Sequence, residues 1–161
     1  MSNNNYLVVK DKVQRFAKQL FNVVELNDDG SLSIPYESTH VFIEVYDLSP
    51  TDADFAAFKR EHDLSNTIVS VWAMVLMEVK GSSDLFKWIA TEGQGFDYGA
   101  FRAIEREDGK YNVVYKSGIP GDNLDAGELK EALLSVAVTA DNNDEELKRM
   151  FGGQTVADIR N

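Results

Sequence analysis

The chain has 161 residues and no cysteine, and its 27 Asp and Glu outnumber 16 Lys and Arg for a formal net charge of −11. A chain of this length can bury the core of one domain, the missing thiols exclude disulfides, thiolate metal sites and a cysteine nucleophile, and the charge disfavours nucleic acid, whose binding needs clustered cations. The longest apolar stretch, Ile68 to Met77, falls well short of the roughly 20 residues that a membrane-spanning helix requires.

The opening Met1-Ser2-Asn3-Asn4-Asn5 lacks the basic and then apolar pattern of a signal peptide, so a cytoplasmic protein is expected. From Tyr6 to Val23, Val9, Val13, Phe16, Ala17, Leu20 and Phe21 recur at helical spacing between charged residues, which predicts an amphipathic helix. Asn27-Asp28-Asp29-Gly30 separates Val23–Leu26 from Ser31–Tyr36, and an Asp-Gly pair between two such segments marks a hairpin. A third strand, His40 to Tyr46, alternates Val41, Ile43 and Val45 with Phe42, Glu44 and Tyr46 after a turn at Glu37-Ser38-Thr39.

Ser49-Pro50-Thr51-Asp52 predicts the start of a short helix with Phe55, Ala56 and Phe58 facing inward, ending near Asp63-Leu64-Ser65. The run Asn66 to Lys80 is apolar on both alternating phases. Ile68, Trp72, Met74 and Leu76 share one, and Val69, Val71, Ala73, Val75, Met77 and Val79 the other. Such a strand is either buried on both faces or presents one face to a partner. Ser83-Asp84 opens a helix that Gly93-Gln94-Gly95 terminates, and the strands Gly99–Glu105 and Lys110–Ser117 flank a second Asp-Gly hairpin. After a turn at Ile119-Pro120-Gly121-Asp122, Asp125–Ala140 reads as a helix, and Asp144–Phe151 as a separate short one capped by Asn143 with Glu146. The chain is therefore expected to be a single α+β domain over 1–161, with an ordered core at 6–151, frayed ends at 1–5 and 154–161, and strands clustered in antiparallel hairpins.

The chain resembles the YbjN family, whose fold is that of the type III secretion chaperones. The resemblance lies in the helix-then-meander opening, the central strand Thr67–Val79, the hairpin of Phe101-Arg102-Ala103-Ile104 with Val113-Val114-Tyr115, and the closing Asn123-Leu124-Asp125…Leu129…Ala132-Leu133…Val136…Ala140-Asp141, followed by Phe151-Gly152-Gly153. It implies a twisted antiparallel sheet of about five to six strands with helices packed on one face, frequent dimerisation and a peptide-binding or chaperone-like role, and it brings no catalytic residues.

No motif for catalysis competes with that reading. His40 and His62 have no two-ligand spacing, the acidic runs Asp28-Asp29 and Asp141–Asp144 lack the full calcium-loop pattern, and Gly93-Gln94-Gly95 follows a helix instead of opening one. No G-x-S-x-G elbow is present. No metal or other cofactor is expected. The candidate partner-binding residues are Ile68, Ser70, Trp72, Met74 and Leu76, because methionine adapts to irregular partners and tryptophan offers a broad apolar surface. The expected partner is another protein or peptide segment, with the chain itself a homodimer. The alternative is an acidic inhibitory or immunity-type protein that neutralises a basic partner, which predicts binding that weakens steeply with salt.

Overall fold

The structure, a computed structural model, describes residues 4–160. The remaining residues, 1–3 and 161, assigned above to frayed ends, lie outside the described residues. In chain order the elements are α1 (Asn4–Leu20), β1 (Glu25–Leu26), β2 (Leu32–Tyr36), β3 (Thr39–Asp47), α2 (Ala53–Glu61), β4 (Thr67–Val79), α3 (Ser83–Ala90), β5 (Ala100–Glu105), β6 (Tyr111–Pro120), α4 (Ala126–Phe151) and α5 (Val156–Arg160). The strands form one antiparallel sheet in the order β1-β2-β3-β4-β6-β5, the α+β arrangement expected.

Both Asp-Gly hairpins form as the residues dictate. Gly30 and Gly109 sit at φ of 81° and 74°, a region where a Cβ is costly, and so turn β1 into β2 and β5 into β6. The core lies on one side of the sheet. Val9, Val13 and Ala17 of α1, Leu85 of α3, and Leu129, Leu133, Val136, Ala137, Ala140 and Leu147 of α4 pack there against Ile34, Val41, Ile43, Val69, Val71, Ala73, Val113 and Tyr115 of the sheet. Each fully buried leucine in this layer contributes about 1.5–3 kcal/mol of transfer free energy.

Four features depart from the sequence reading. First, α4 is one continuous helix through Asp141–Asp144. Its buried stripe runs unbroken from Leu129 through Ala140 and Asp144 to Leu147. The polar run is absorbed by side-chain bonds: Asp141 accepts from the backbone N–H and hydroxyl of Ser38 in the β2–β3 turn and Asp144 accepts from the same hydroxyl, while within the helix Asn143 donates to the Thr139 carbonyl one turn back. The capping box stands at Asp125 and Glu128, not at Asn143 and Glu146.

Second, the tail does not fray at residue 154: Gln154 bridges Met77, and α5 follows with Thr155 fully buried. Third, β6 runs on to Pro120, past the predicted end at Ser117. Fourth, α2 is turned over. Phe55 and Phe58 are about half exposed, at 53% and 47%, whereas Lys59 is the buried residue of the helix, its Nζ donating to the Leu48 carbonyl. A lysine can take the inner position because its methylene stem packs while its ammonium finds an oxygen.

Candidate functional site

The antiparallel pairing assigns the face of the sheet opposite the core. Glu44 of β3 is paired with Ser70 of β4, Phe42 with Trp72 and Tyr46 with Ile68; on the other side of β4, Ser70, Trp72 and Met74 pair with Gly118, Lys116 and Val114 of β6. Ile68, Trp72 and Met74 are all part-exposed. The rings of Phe42 and Trp72 stack at 4.3 Å with an interplanar angle of 17°, and His40 meets Phe42 edge-on at 6.3 Å. The layer formed by α1, α3 and α4 lies on the opposite side.

Of the five residues predicted for this face, four share it and one does not. The regular register from Ile68 to Met74 keeps Ile68, Ser70, Trp72 and Met74 on one phase. A bulge between Met74 and Leu76 then places Leu76 opposite Val113, and Leu76 is fully buried in the core with it. An inserted residue flips every side chain beyond it to the other face. Alternation read along the sequence carries no sign of that insertion.

Ser70 is only 2% exposed, and its hydroxyl has no hydrogen-bond partner among the described residues. A diagonal strap crosses the sheet in its row. Lys116, opposite Trp72 on β6, reaches across β4 toward Tyr46, opposite Ile68 on β3, with its Nζ 5.6 Å from the ring centroid. The line between these two side chains passes above Ser70. Tyr46 is in turn tied by its hydroxyl to Glu44, and that hydrogen bond, helped by partial burial and the nearby carboxylate charge, pushes the phenol up to about 12. Ile68 leans over Gly118, the β6 residue paired with Ser70, since a Cβ at Gly118 would lie 3.0 Å from Ile68 Cδ1.

A second apolar surface surrounds α2. Phe55 and Phe58 lie nearly parallel at 6.2 Å, His62 packs on Phe58 at 4.4 Å, and Leu48, Leu64 and Tyr46 are exposed. Sequence reasoning missed this surface because helical spacing shows that a stripe exists without showing what covers it. It also missed Phe42, for which strand pairing was the absent information. Among the described residues no three of His, Asp and Glu converge as metal ligands, and no helix is long and apolar enough to cross a membrane.

Nearly the whole of this architecture, residues 8–159, matches the family described as T3SS (YopN, CesT) and YbjN peptide-binding chaperone 1. The chain belongs to this family. Among solved structures it is similar to the ExsC–ExsE complex, with 16% identity, 87% of this chain and 93% of that chain covered and a TM-score of 0.54. It is also similar to the Yersinia pestis type III secretion chaperone SycH in complex with a stable fragment of YscM2, with 14% identity, 83% and 98% covered and a TM-score of 0.48. No curated protein matches the chain. The family assignment agrees with the resemblance drawn from the helix-then-meander opening and the closing helix, and the fold is the type III secretion chaperone fold.

Proposed function

We propose that the chain is a cytoplasmic, non-enzymatic protein that binds an apolar segment of another polypeptide, as a chaperone or regulator. Ile68, Trp72 and Met74 of β4 and Phe42 of β3 would form the contact surface, with Ser70 as a polar contact beneath the Lys116–Tyr46 strap. One observation carries the reading: a stacked Phe42–Trp72 platform beside a buried, unpartnered hydroxyl, on the face turned away from the α1–α3–α4 layer. Family membership supports the class of ligand. The acidic balance of the chain favours segments carrying Lys or Arg around an apolar centre.

We further infer that the chain pairs with a second copy through α2. Phe55, Phe58, Leu48 and Leu64 are exposed apolar residues of and around α2, and a two-fold axis through them would set the same patch of each copy against the other. Elsewhere two copies of a chain with a net charge of −11 repel.

The test combines sedimentation velocity with panning of a phage-displayed dodecapeptide library, on wild type and on Trp72→Ser/Met74→Ser and Phe55→Ser/Phe58→Ser variants checked by circular dichroism. The expected result is a dimer that Phe55→Ser/Phe58→Ser converts to monomer, and peptides whose recovery falls when Trp72 and Met74 are replaced. A folded Trp72→Ser/Met74→Ser protein that recovers the same peptides with undiminished affinity would remove the sheet face from consideration. A monomeric wild type at high concentration would remove the dimer.

A further inference from the structure

Helix α1 inverts the charge balance of the chain. Asp and Glu outnumber Lys and Arg 27 to 16 overall, yet α1 carries Lys10, Lys12, Arg15 and Lys18 against one acid, Asp11. Its inner stripe, Val9, Val13 and Ala17, is buried in the core. The side turned away from that stripe holds two adjacent rows at helical spacing, Leu7-Asp11-Lys18 and Val8-Lys12-Arg15. Leu7 and Val8 are 53% and 56% exposed, and Arg15 and Lys18 are exposed further along the same face.

Lys12, Arg15 and Lys18 make no ion pair among the described residues, whose ion pairs all lie at Glu78 and the β5–β6 turn or on α4 and α5. In a chain with carboxylates in excess, three unpaired cations on one helix face are a concentration of charge that the fold itself does not neutralise. An open hollow of about 400 Å³ runs along this face, lined by Asp11, Gln14, Arg15, Lys18 and Gln19. Leu7 and Val8 decide the class of partner. A nucleic-acid backbone answers the cations alone. An anionic bilayer answers both, with headgroup phosphates at one depth and acyl carbon just beneath for exposed aliphatic side chains.

We propose that the outward face of α1 docks on the surface of a bilayer containing anionic lipids. The contact is peripheral, since among the described residues no helix is long and apolar enough to cross a membrane. Leu7 and Val8 enter the interface, and Lys12, Arg15 and Lys18 meet the headgroup phosphates, one of which the hollow between Arg15 and Lys18 has room to seat. Asp11 opposes them. Charges more than about 8 Å away are largely screened at physiological ionic strength, so the carboxylates elsewhere on the chain weaken this attraction without abolishing it. The face shares no residue with the sheet platform or with the α2 surface, and the proposal does not depend on the peptide reading.

The experiment sediments the full chain with vesicles of phosphatidylcholine alone and of a two-to-one mixture of phosphatidylcholine and phosphatidylglycerol. Capture by the mixed vesicles at low salt is expected, lost at high salt and absent with phosphatidylcholine alone. Lys12→Gln/Arg15→Gln/Lys18→Gln should lower the partition coefficient roughly a hundredfold, about fivefold for each cation. Leu7→Ser/Val8→Ser should lower it about tenfold with the cations intact. Both variants are checked by circular dichroism. Because the chain has no cysteine, a nitroxide on Val8→Cys gives a readout that survives if either of them does not fold. Mixed vesicles should shield that label from an aqueous relaxant, and should leave the same label on Glu107→Cys, in the β5–β6 turn, accessible. No capture by mixed vesicles at low salt, equal capture by phosphatidylcholine alone, capture unchanged in the folded charge variant, or an unshielded Val8→Cys label would overturn the proposal. So would capture that folded Leu7→Ser/Val8→Ser retains in full and that RNA or polyglutamate competes away, since the face would then read a polyanion and not a bilayer.

Discussion

Ser70→Ala is expected to make the protein more stable, an unusual direction for a substitution in a central strand. The hydroxyl is 2% exposed and has no partner among the described residues, so folding strips it of water without return. A buried polar group left unpaired costs about 1–3 kcal/mol. Alanine keeps the Cβ and leaves a space one oxygen in size, and its lower strand propensity takes back a few tenths of a kcal/mol. The net expectation is a gain of about 1 kcal/mol, or roughly 2–4 °C in Tm for a chain of this size. Urea and thermal denaturation followed by circular dichroism measure it directly, and peptide binding to the sheet face should weaken in the same variant if the hydroxyl is a contact. A loss of about 1 kcal/mol or more, the worth of an ordinary hydrogen bond, would mean that Ser70 has a structural partner, and the case for it as a binding group would fall.

Leu76→Ala should cost about 2–5 kcal/mol, the penalty for truncating a leucine in a packed core, because the bulge after Met74 delivers Leu76 to the buried face; a urea midpoint unchanged from wild type would contradict that assignment. Asp144→Asn concerns pH. Burial raises the Asp144 carboxyl above the ordinary range, the Glu145 N–H and Ser38 hydroxyl work against that, and the Asp141 and Glu145 charges add to it. The folded state thus holds this proton more tightly than the unfolded chain, so the contribution is complete below the unfolded value of 3.8 and is lost as pH rises through the higher folded value. The Asp144→Asn substitution should accordingly stabilise the protein at neutral pH and much less near the ordinary carboxylate range, as thermal melts across that span would register; equal effects at both ends would refute the linkage.

The parts of the fold that are legible in the sequence depend on near neighbours. Asp-Gly turns announce both hairpins because Gly30 and Gly109 meet a local backbone requirement. The two-phase apolar run of β4 identifies the strand and most of its open face. What is not legible depends on partners far away in sequence. The polar run Asp141–Asp144 reads as a helix break because its partner, Ser38, lies more than 100 residues away. Phe55 and Phe58 read as core because a phenylalanine stripe on a helix is usually covered.

An antiparallel sheet covered on one side ordinarily alternates apolar-in with polar-out. Much of the outer face here obeys that rule, with His40, Glu44, Lys116 and Arg102 pointing away from the core. Ile68, Trp72 and Met74 break it in the middle of the central strand, where polar side chains would cost the core nothing because the opposite phase already packs on the helices. The same few positions hold the unpartnered Ser70 hydroxyl. An apolar cluster and an unsatisfied polar group together contribute nothing to the packing behind them, and each lowers solubility or stability. Departures from local rules gather at functional or strained sites, and it is this coincidence at the centre of β4 that supports the contact surface proposed above.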